Sequence, residues 1–146
     1  MESRTDNFQE EANAYGRSRF TDIARYLAME GKAQKFGHDE WSELFSTRLD
    51  EMPLSVTLEA IYPQRETMEF SILLGTGGPA DRVLVTTDFS GEVETATYQY
   101  QDWFQPWTEV YLEPELVMAF ARHWEPTYPM IADMISEALA EVGKYI

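Results

Sequence analysis

The sequence contains no cysteine and no long apolar run, and each of these absences excludes a class of protein. Without cysteine there is no disulfide framework, no thiol nucleophile and no zinc–thiolate site. No apolar run approaches the roughly 20 residues that span a bilayer, and the start MESRTDNFQEEAN lacks the apolar stretch of a secretion signal. We therefore expect a cytoplasmic protein that does not enter a membrane.

Basic residues are scarce, because 11 Lys and Arg stand against 26 Asp and Glu, for a net charge of −15. Proteins gain affinity for phosphates by supplying cations, so this balance excludes nucleic acid and anionic membranes as direct partners and favours a positively charged protein surface. Residues 1–37 hold six acidic and six basic side chains, whereas residues 83–146 hold eleven and two. No Lys or Arg occurs from Val83 to Ala121. Solubility or salt adaptation stays open as an alternative reason for the charge.

Apolar residues make up 44% of the chain and aromatic residues 14%, which excludes a disordered polypeptide. A chain of 146 residues is long enough to bury a core as one domain. We expect a single domain over 1–146, with a helical part at 1–53, a sheet at 54–112 and a second helical part at 113–146.

Two helices are predicted before the sheet. Apolar residues recur at spacings of three and four, which indicates one helix over about 7–30, or two halves broken near Gly16. Gly31 is the predicted C-terminal cap of this helix. A second helix is predicted from about Asp39 to Pro53, which stops it.

Alternating apolar and polar residues then predict strands. The four longer strands are 54–62, 66–74, 82–89 and 93–101, and a short fifth lies within 107–112. In the first strand, the residues expected on one face are Leu54, Val56, Leu58 and Tyr62.

Two more helices are predicted after the sheet. The first opens at Pro114 and is ended by Pro126, and the second covers about 127–145. The residues expected on the buried face of the second are Tyr128, Ile131, Ile135, Leu139 and Val142. This order predicts an α+β fold, in which an antiparallel four- to five-stranded sheet is flanked by two N-terminal and two C-terminal helices.

The sequence offers little for catalysis or for cofactor binding. A glycine loop that binds phosphate needs a helix after it, but a strand follows residues 75–80, so we expect a strand connection with a glycine at positive φ. The histidines, His38 and His123, lack the spacing of metal ligands. We therefore predict no catalytic residue, no metal and no cofactor, and a small hydrolase that uses unrecognised carboxylates is kept as an alternative.

The densest aromatic stretch runs from Tyr98 to Tyr111, with six aromatic residues in fourteen. Of Trp103 and Trp107, we expect one in the core and the other accessible as an anchor for a partner. Acidic residues among such aromatics suit an Arg-rich partner, because guanidinium pairs with carboxylate and stacks on indole. The alternative is a turn that folds back over the core, in which both indoles cover core residues.

Acidic residues also recur at regular spacing. Asp133, Glu137 and Glu141 follow one another at four-residue intervals, which is a rise of about 6 Å per step along a helix. Glu92 and Glu94 are spaced by about 6.6 Å along a strand. Such rows can imitate a run of phosphates, and an ordinary solvated face is the alternative. Together, the residues predicted to contact a partner are Asp88, Glu92, Glu94, Asp102, Trp103, Trp107, Glu109, Glu113, Glu115, Asp133, Glu137 and Glu141.

Two stretches carry a resemblance: ILLGTGGPAxRV at 72–83 and YQDWxxPWTE at 100–109. They resemble signature stretches of small acidic proteins encoded on plasmids, conjugative elements and phages, over residues 72–111. The resemblance implies a bacterial host cell, and such elements often carry antirestriction and anti-CRISPR genes close together. It suggests a non-enzymatic inhibitor that acts as a DNA mimic.

The expected partner of such a mimic is a CRISPR–Cas effector complex or a restriction enzyme, and the sequence is compatible with a homodimer. The runner-up is an accessory protein of a mobile element that binds a basic protein without mimicry.

Overall fold

The computed structural model describes residues 4–77, 79–103 and 105–143, and these contain four α-helices and five strands. In chain order they are α1 (Arg4–Lys35), α2 (Asp39–Asp50), β1 (Ser55–Tyr62), β2 (Thr67–Gly75), β3 (Ala80–Asp88), β4 (Val93–Gln101), β5 (Thr108–Val110), α3 (Pro114–His123) and α4 (Thr127–Gly143). A short 3-10 helix at Pro63–Arg65 joins β1 to β2. The strands form one antiparallel sheet in the order β1-β2-β3-β4-β5, which confirms the predicted α+β fold. None of the helices in these ranges is long and apolar enough to cross a bilayer.

The first helix is longer than predicted and unbroken at Gly16. Gly16 is buried, and a Cβ at this position would lie 2.8 Å from a ring carbon of Tyr98 on β4. The missing side chain lets α1 approach the sheet, so this glycine marks a close contact between two elements and not a break.

The predicted cap at Gly31 is wrong, because this residue lies inside α1. The left-handed residue at the end of the helix is Gly37, with φ of 70°. Its N–H donates to the carbonyl of Gln34, and the N–H of His38 donates to the carbonyl of Ala33. These two bonds form a Schellman motif.

The helices α1, α3 and α4 pack on one face of the sheet and enclose the core with it. The ring of Phe20 on α1 lies edge-on to Tyr98 of β4 and to Phe120 of α3. The ring of Tyr128 on α4 packs on Phe70 of β2, with centroids 4.7 Å apart.

A β-bulge in β1 changes which residues share a face. The register shifts between Leu58 and Ala60, so that Ile61 pairs with the buried Met68 and Tyr62 pairs with Thr67. Ile61 therefore shares the face of Leu58, and the prediction that Tyr62 lies there is wrong.

The predicted connection at residues 75–80 is confirmed as the turn between β2 and β3, with Gly77 at φ of 96°. Gly78 lies outside the described residues. The next turn joins β3 to β4 through Ser90 and Gly91, which has φ of 94°.

The C-terminal helix contradicts part of the predicted core. Tyr128 is fully buried and Ile131 partly buried, but Ile135, Leu139 and Val142 are exposed. Every described residue from Asp133 onward is exposed, because this half of α4 extends past the surface that its first turns cover.

Candidate protein-binding surface

A buried ion pair fixes α1 against the sheet. Asp81 on β3 is fully buried, and its carboxylate accepts two hydrogen bonds from Arg19 on α1, Nε to Oδ2 at 2.8 Å and Nη2 to Oδ1 at 3.1 Å. The hydroxyl of Tyr98 donates to the same Oδ2 at 3.0 Å. Burial, and then the nearby Asp81 charge, hold the pKa of Tyr98 far above its ordinary value, so this hydroxyl stays a donor.

The first of the two resembling stretches contributes to this ion pair. A Cβ on Gly75 would lie 2.7 Å from Oδ1 of Asp81 and 3.1 Å from Nη2 of Arg19. Glycine at the end of β2 therefore makes room for the paired charges. This glycine of the stretch therefore has a structural role in the fold.

Trp107 lies over Arg82 on β3, with the guanidinium carbon 4.1 Å from the ring centroid. The Nε of Arg82 also donates to Gln99 Oε1 at 2.7 Å. Burial lowers the pKa of Arg82, and the carboxylates of Glu59 and Glu69 oppose this shift. Trp107 is half-buried over Arg82, so the prediction that one indole lies in the core is wrong.

Trp103 is the accessible indole, with 66% of its surface exposed, as predicted for one of the pair. It follows Asp102, whose Oδ1 accepts a hydrogen bond from the Trp103 N–H at 2.7 Å. Asp102 is half-buried. The hydrogen bond to Trp103 uses part of the hydrogen-bonding capacity of its carboxylate within the turn.

The short β5 leaves part of β4 without a second neighbour. β5 pairs only with Tyr98, Gln99 and Tyr100, so residues 94–97 of β4 lack a strand partner on that side within the described chain. Beside them runs a groove of about 370 Å³, here called the β4 groove. Its lining residues include Ala96, Thr97, Glu109, Tyr111, Pro114 and Val117.

An exposed tyrosine and an exposed glutamate, Tyr111 and Glu109, line the β4 groove, and two more exposed glutamates follow them along the chain. Tyr111 is 88% exposed, the largest value among the large hydrophobic residues described. Glu109, Glu113 and Glu115 are exposed beside it along the chain, at the end of β5 and the start of α3. These three predicted residues therefore share the segment 109–115, with Tyr111 as an aromatic side chain that the predicted set lacks. Alternation along WTEVYL could have found it, because Tyr111 follows the buried Val110.

A second predicted group lies at the turn between β3 and β4. Glu92 and Glu94 are exposed there, whereas Asp88 is used by the turn itself. Oδ1 of Asp88 accepts from the hydroxyl of Ser90 at 2.6 Å and from the N–H groups of Ser90 and Glu92. The Ser90 hydroxyl bond is the main cause that lowers the pKa of Asp88. The role that the structure shows for Asp88 is therefore to shape the turn.

The third group is the row on α4. Asp133, Glu137 and Glu141 are all exposed on the half of the helix that extends from the body. The row is separated along the chain from the groups at the β4 groove and at the turn. The exposed carboxylates of the predicted set therefore fall in three separate segments of the chain.

The exposed carboxylates of the C-terminal half have few basic neighbours. In the described ranges, salt bridges join Arg19 to Asp81, Arg25 to Asp22, Arg48 to Glu51 and His123 to Asp50. The exposed carboxylates of the predicted set that form no salt bridge in these ranges are Glu92, Glu94, Glu109, Glu113, Glu115, Asp133 and Glu137. Their charges are therefore available to a cationic partner.

The described residues contain no group of three carboxylate or imidazole side chains that could hold a metal ion. His123 lies 2.7 Å from Asp50 through Nε2, which ties the end of α3 to the end of α2. This histidine therefore has a structural partner within the fold.

Comparison with models of known protein families, with curated proteins and with solved structures gives no significant match for this chain.

Proposed function

We propose that this protein is an acidic inhibitor that binds a cationic nucleic-acid-binding surface of a bacterial defence complex and acts as a DNA mimic. The observation that carries the proposal is the set of seven exposed carboxylates between Glu92 and Glu137 that form no salt bridge within the described residues. A surface that serves only solubility usually mixes charges of both signs.

The β4 groove is the part of this surface best suited to a protein partner. Tyr111 offers a large aromatic face, and Glu109, Glu113 and Glu115 are exposed close to it along the chain. An arginine of the partner can pair with a carboxylate and stack on the tyrosine ring in the same contact. This combination favours an Arg-rich protein surface, the kind that otherwise binds phosphates.

The inhibition follows from competition for one cationic surface. Carboxylates bound in a nucleic-acid channel occupy the cations that would neutralise phosphates, so the channel cannot hold DNA at the same time. Charge also accelerates the encounter of oppositely charged surfaces and makes the binding sensitive to salt.

The proposal is tested by competition with DNA. A purified type I CRISPR surveillance complex and a purified restriction enzyme are each bound to fluorescent duplex DNA, and displacement is followed by anisotropy. We expect the wild-type protein to displace DNA from one of them, and the variant with Glu109→Gln, Glu113→Gln and Glu115→Gln to need at least about tenfold more protein.

The matched control removes the same number of charges elsewhere. Glu11→Gln, Glu40→Gln and Glu43→Gln change exposed residues of the first two helices and give the same net charge as the test variant. Equal loss in both variants would show that only net charge matters. Binding without displacement of DNA would favour the accessory protein without mimicry, and no binding to either complex would contradict the proposal for these partners.

A further variant separates the row on α4 from the β4 groove. If the row contributes to mimicry, the combined Asp133→Gln, Glu137→Gln and Glu141→Gln variant should inhibit less and be equally or slightly more stable, because like charges at i, i+4 repel. Full inhibition by this variant would assign the activity to the sheet and to the β4 groove.

A further inference from the structure

The exposed half of α4 has an apolar face that nothing covers in the described chain. Met134, Leu139 and Val142 are 63%, 67% and 57% exposed, and Ile135 is exposed beside them. At about 100° per residue, Ile131, Ile135, Leu139 and Val142 share one side of the helix, and Asp133 and Glu137 lie on another. Such a helix buries its apolar side only if another surface receives it.

A second uncovered apolar surface lies at the far end of the hairpin formed by α1 and α2. A groove of about 350 Å³ opens there between the two helices, here called the tip groove. Its apolar lining residues are Met29, Ala33, Phe36, Trp41 and Phe45. Phe36 and Trp41 are more than half exposed.

The charges around the two surfaces are opposite. The titratable residues that line the tip groove are Lys32 and His38, and Lys35 lies in the same last turn of α1. Four acidic residues of the hairpin, Glu30, Asp39, Glu43 and Asp50, line a separate groove. The described part of α4 from Thr127 to Gly143 carries acidic residues and no Lys or Arg.

We propose that the exposed half of α4 in one copy of this protein docks in the tip groove of a second copy. Amphipathic helices bind apolar grooves in this way, with anchors at i, i+4 and i+7. Leu139 and Val142 enter the groove against Phe36 and Trp41, and the positive charge of Lys32 at the groove attracts the negatively charged helix. Both surfaces are exposed within a single chain, so the helix of one copy does not fill its own groove.

The contact is between two different surfaces, which gives it a distinctive experimental signature. A variant with a damaged helix retains an intact groove, and a variant with a damaged groove retains an intact helix. Mixing the two variants restores one helix–groove pair. A contact between two α4 helices would not show this behaviour, because each copy would supply the same surface.

The test uses Leu139→Gln and Trp41→Gln, which are exposed positions and leave the charge unchanged. Sedimentation velocity over a concentration series should show self-association of the wild type and a dissociation constant at least about tenfold higher for each variant. An equal mixture of the two variants should associate more strongly than either alone. Ala140→Gln, on the other side of the same helix, should leave the association unchanged.

Three outcomes would overturn the proposal. They are a wild type that stays monomeric at every concentration, a Trp41→Gln variant that associates like the wild type, and a mixture that associates no better than its components. Circular dichroism confirms that each variant keeps its helices, and the recovery in the mixture shows directly that both variants are folded. None of these measurements involves the defence complex, so the inference stands or falls separately from the proposed function.

Discussion

At the scale of single residues, Asp81 is the group whose loss should affect the fold most. Its carboxylate is fully buried and joins Arg19 of α1 and Tyr98 of β4. Removing one partner of a buried ion pair leaves the other charge without compensation, which typically costs 3–5 kcal/mol.

We therefore predict that Asp81→Asn lowers the free energy of unfolding by about 3 kcal/mol, at the lower end of that range because Arg19 keeps some contact with water. Urea denaturation measures this change. The control is Asp22→Asn, which removes an exposed pair with Arg25 and should change the stability by less than about 0.5 kcal/mol. Similar values for the two variants would show that the buried pair does not hold α1 in place.

The sequence could not reveal this ion pair, because Arg19 and Asp81 are 62 residues apart. Nothing in the local pattern around Asp81 distinguishes it from the many exposed carboxylates. The sequence could not reveal why residue 75 is a glycine either. Its missing side chain leaves room for the contact with Arg19 of α1, and it is not required by the turn that follows. Local rules did find the positive φ of the turn itself, because a tight connection imposes it on its own residues.

At the scale of elements, the periodicity of the hydrophobic residues predicted the type and order of the helices and strands. The five strands and the antiparallel sheet follow from alternation and from short connections. The helical periodicity of α4 was also predicted correctly, but the prediction that Ile135, Leu139 and Val142 are buried was wrong. A period identifies an apolar side of a helix and does not say how far the neighbouring elements extend to cover it.

The glycines of α1 give a matched pair of predictions for one element. Gly31→Ala should raise the free energy of unfolding by about 0.5–1 kcal/mol, because alanine favours helix and no atom lies within 4 Å of the new Cβ. Gly16→Ala gains the same propensity but meets the ring of Tyr98 at 2.8 Å, and the hydrogen bond to Asp81 restrains that ring. Overpacking costs about 1–3 kcal/mol, so the net effect should be destabilising. Thermal and urea denaturation check both signs, and stabilisation by Gly16→Ala would show that α1 can move away from β4.

At the scale of the whole molecule, the uneven charge lowers the stability of the fold but favours binding to a cationic partner. The net charge of −15 makes the native chain repel itself, chiefly in the C-terminal half, where basic residues are few. The same carboxylates attract a cationic partner in the proposed function. Salt screens both interactions, because the Debye length falls from about 30 Å at 0.01 M to about 3 Å at 1 M.

We predict that the free energy of unfolding in urea rises as sodium chloride is increased from about 0.01 M to about 0.5 M, because the screened carboxylates repel one another less. The variant with Glu109→Gln, Glu113→Gln and Glu115→Gln should start from a higher stability and gain less from salt. Urea suits this measurement because guanidinium chloride is itself a salt. Binding to the defence complex should weaken over the same range of salt, as expected for contacts that replace phosphates. A stability that falls with salt would mean that attractive pairs dominate the surface, and the acidic residues would then be ones that the fold itself requires.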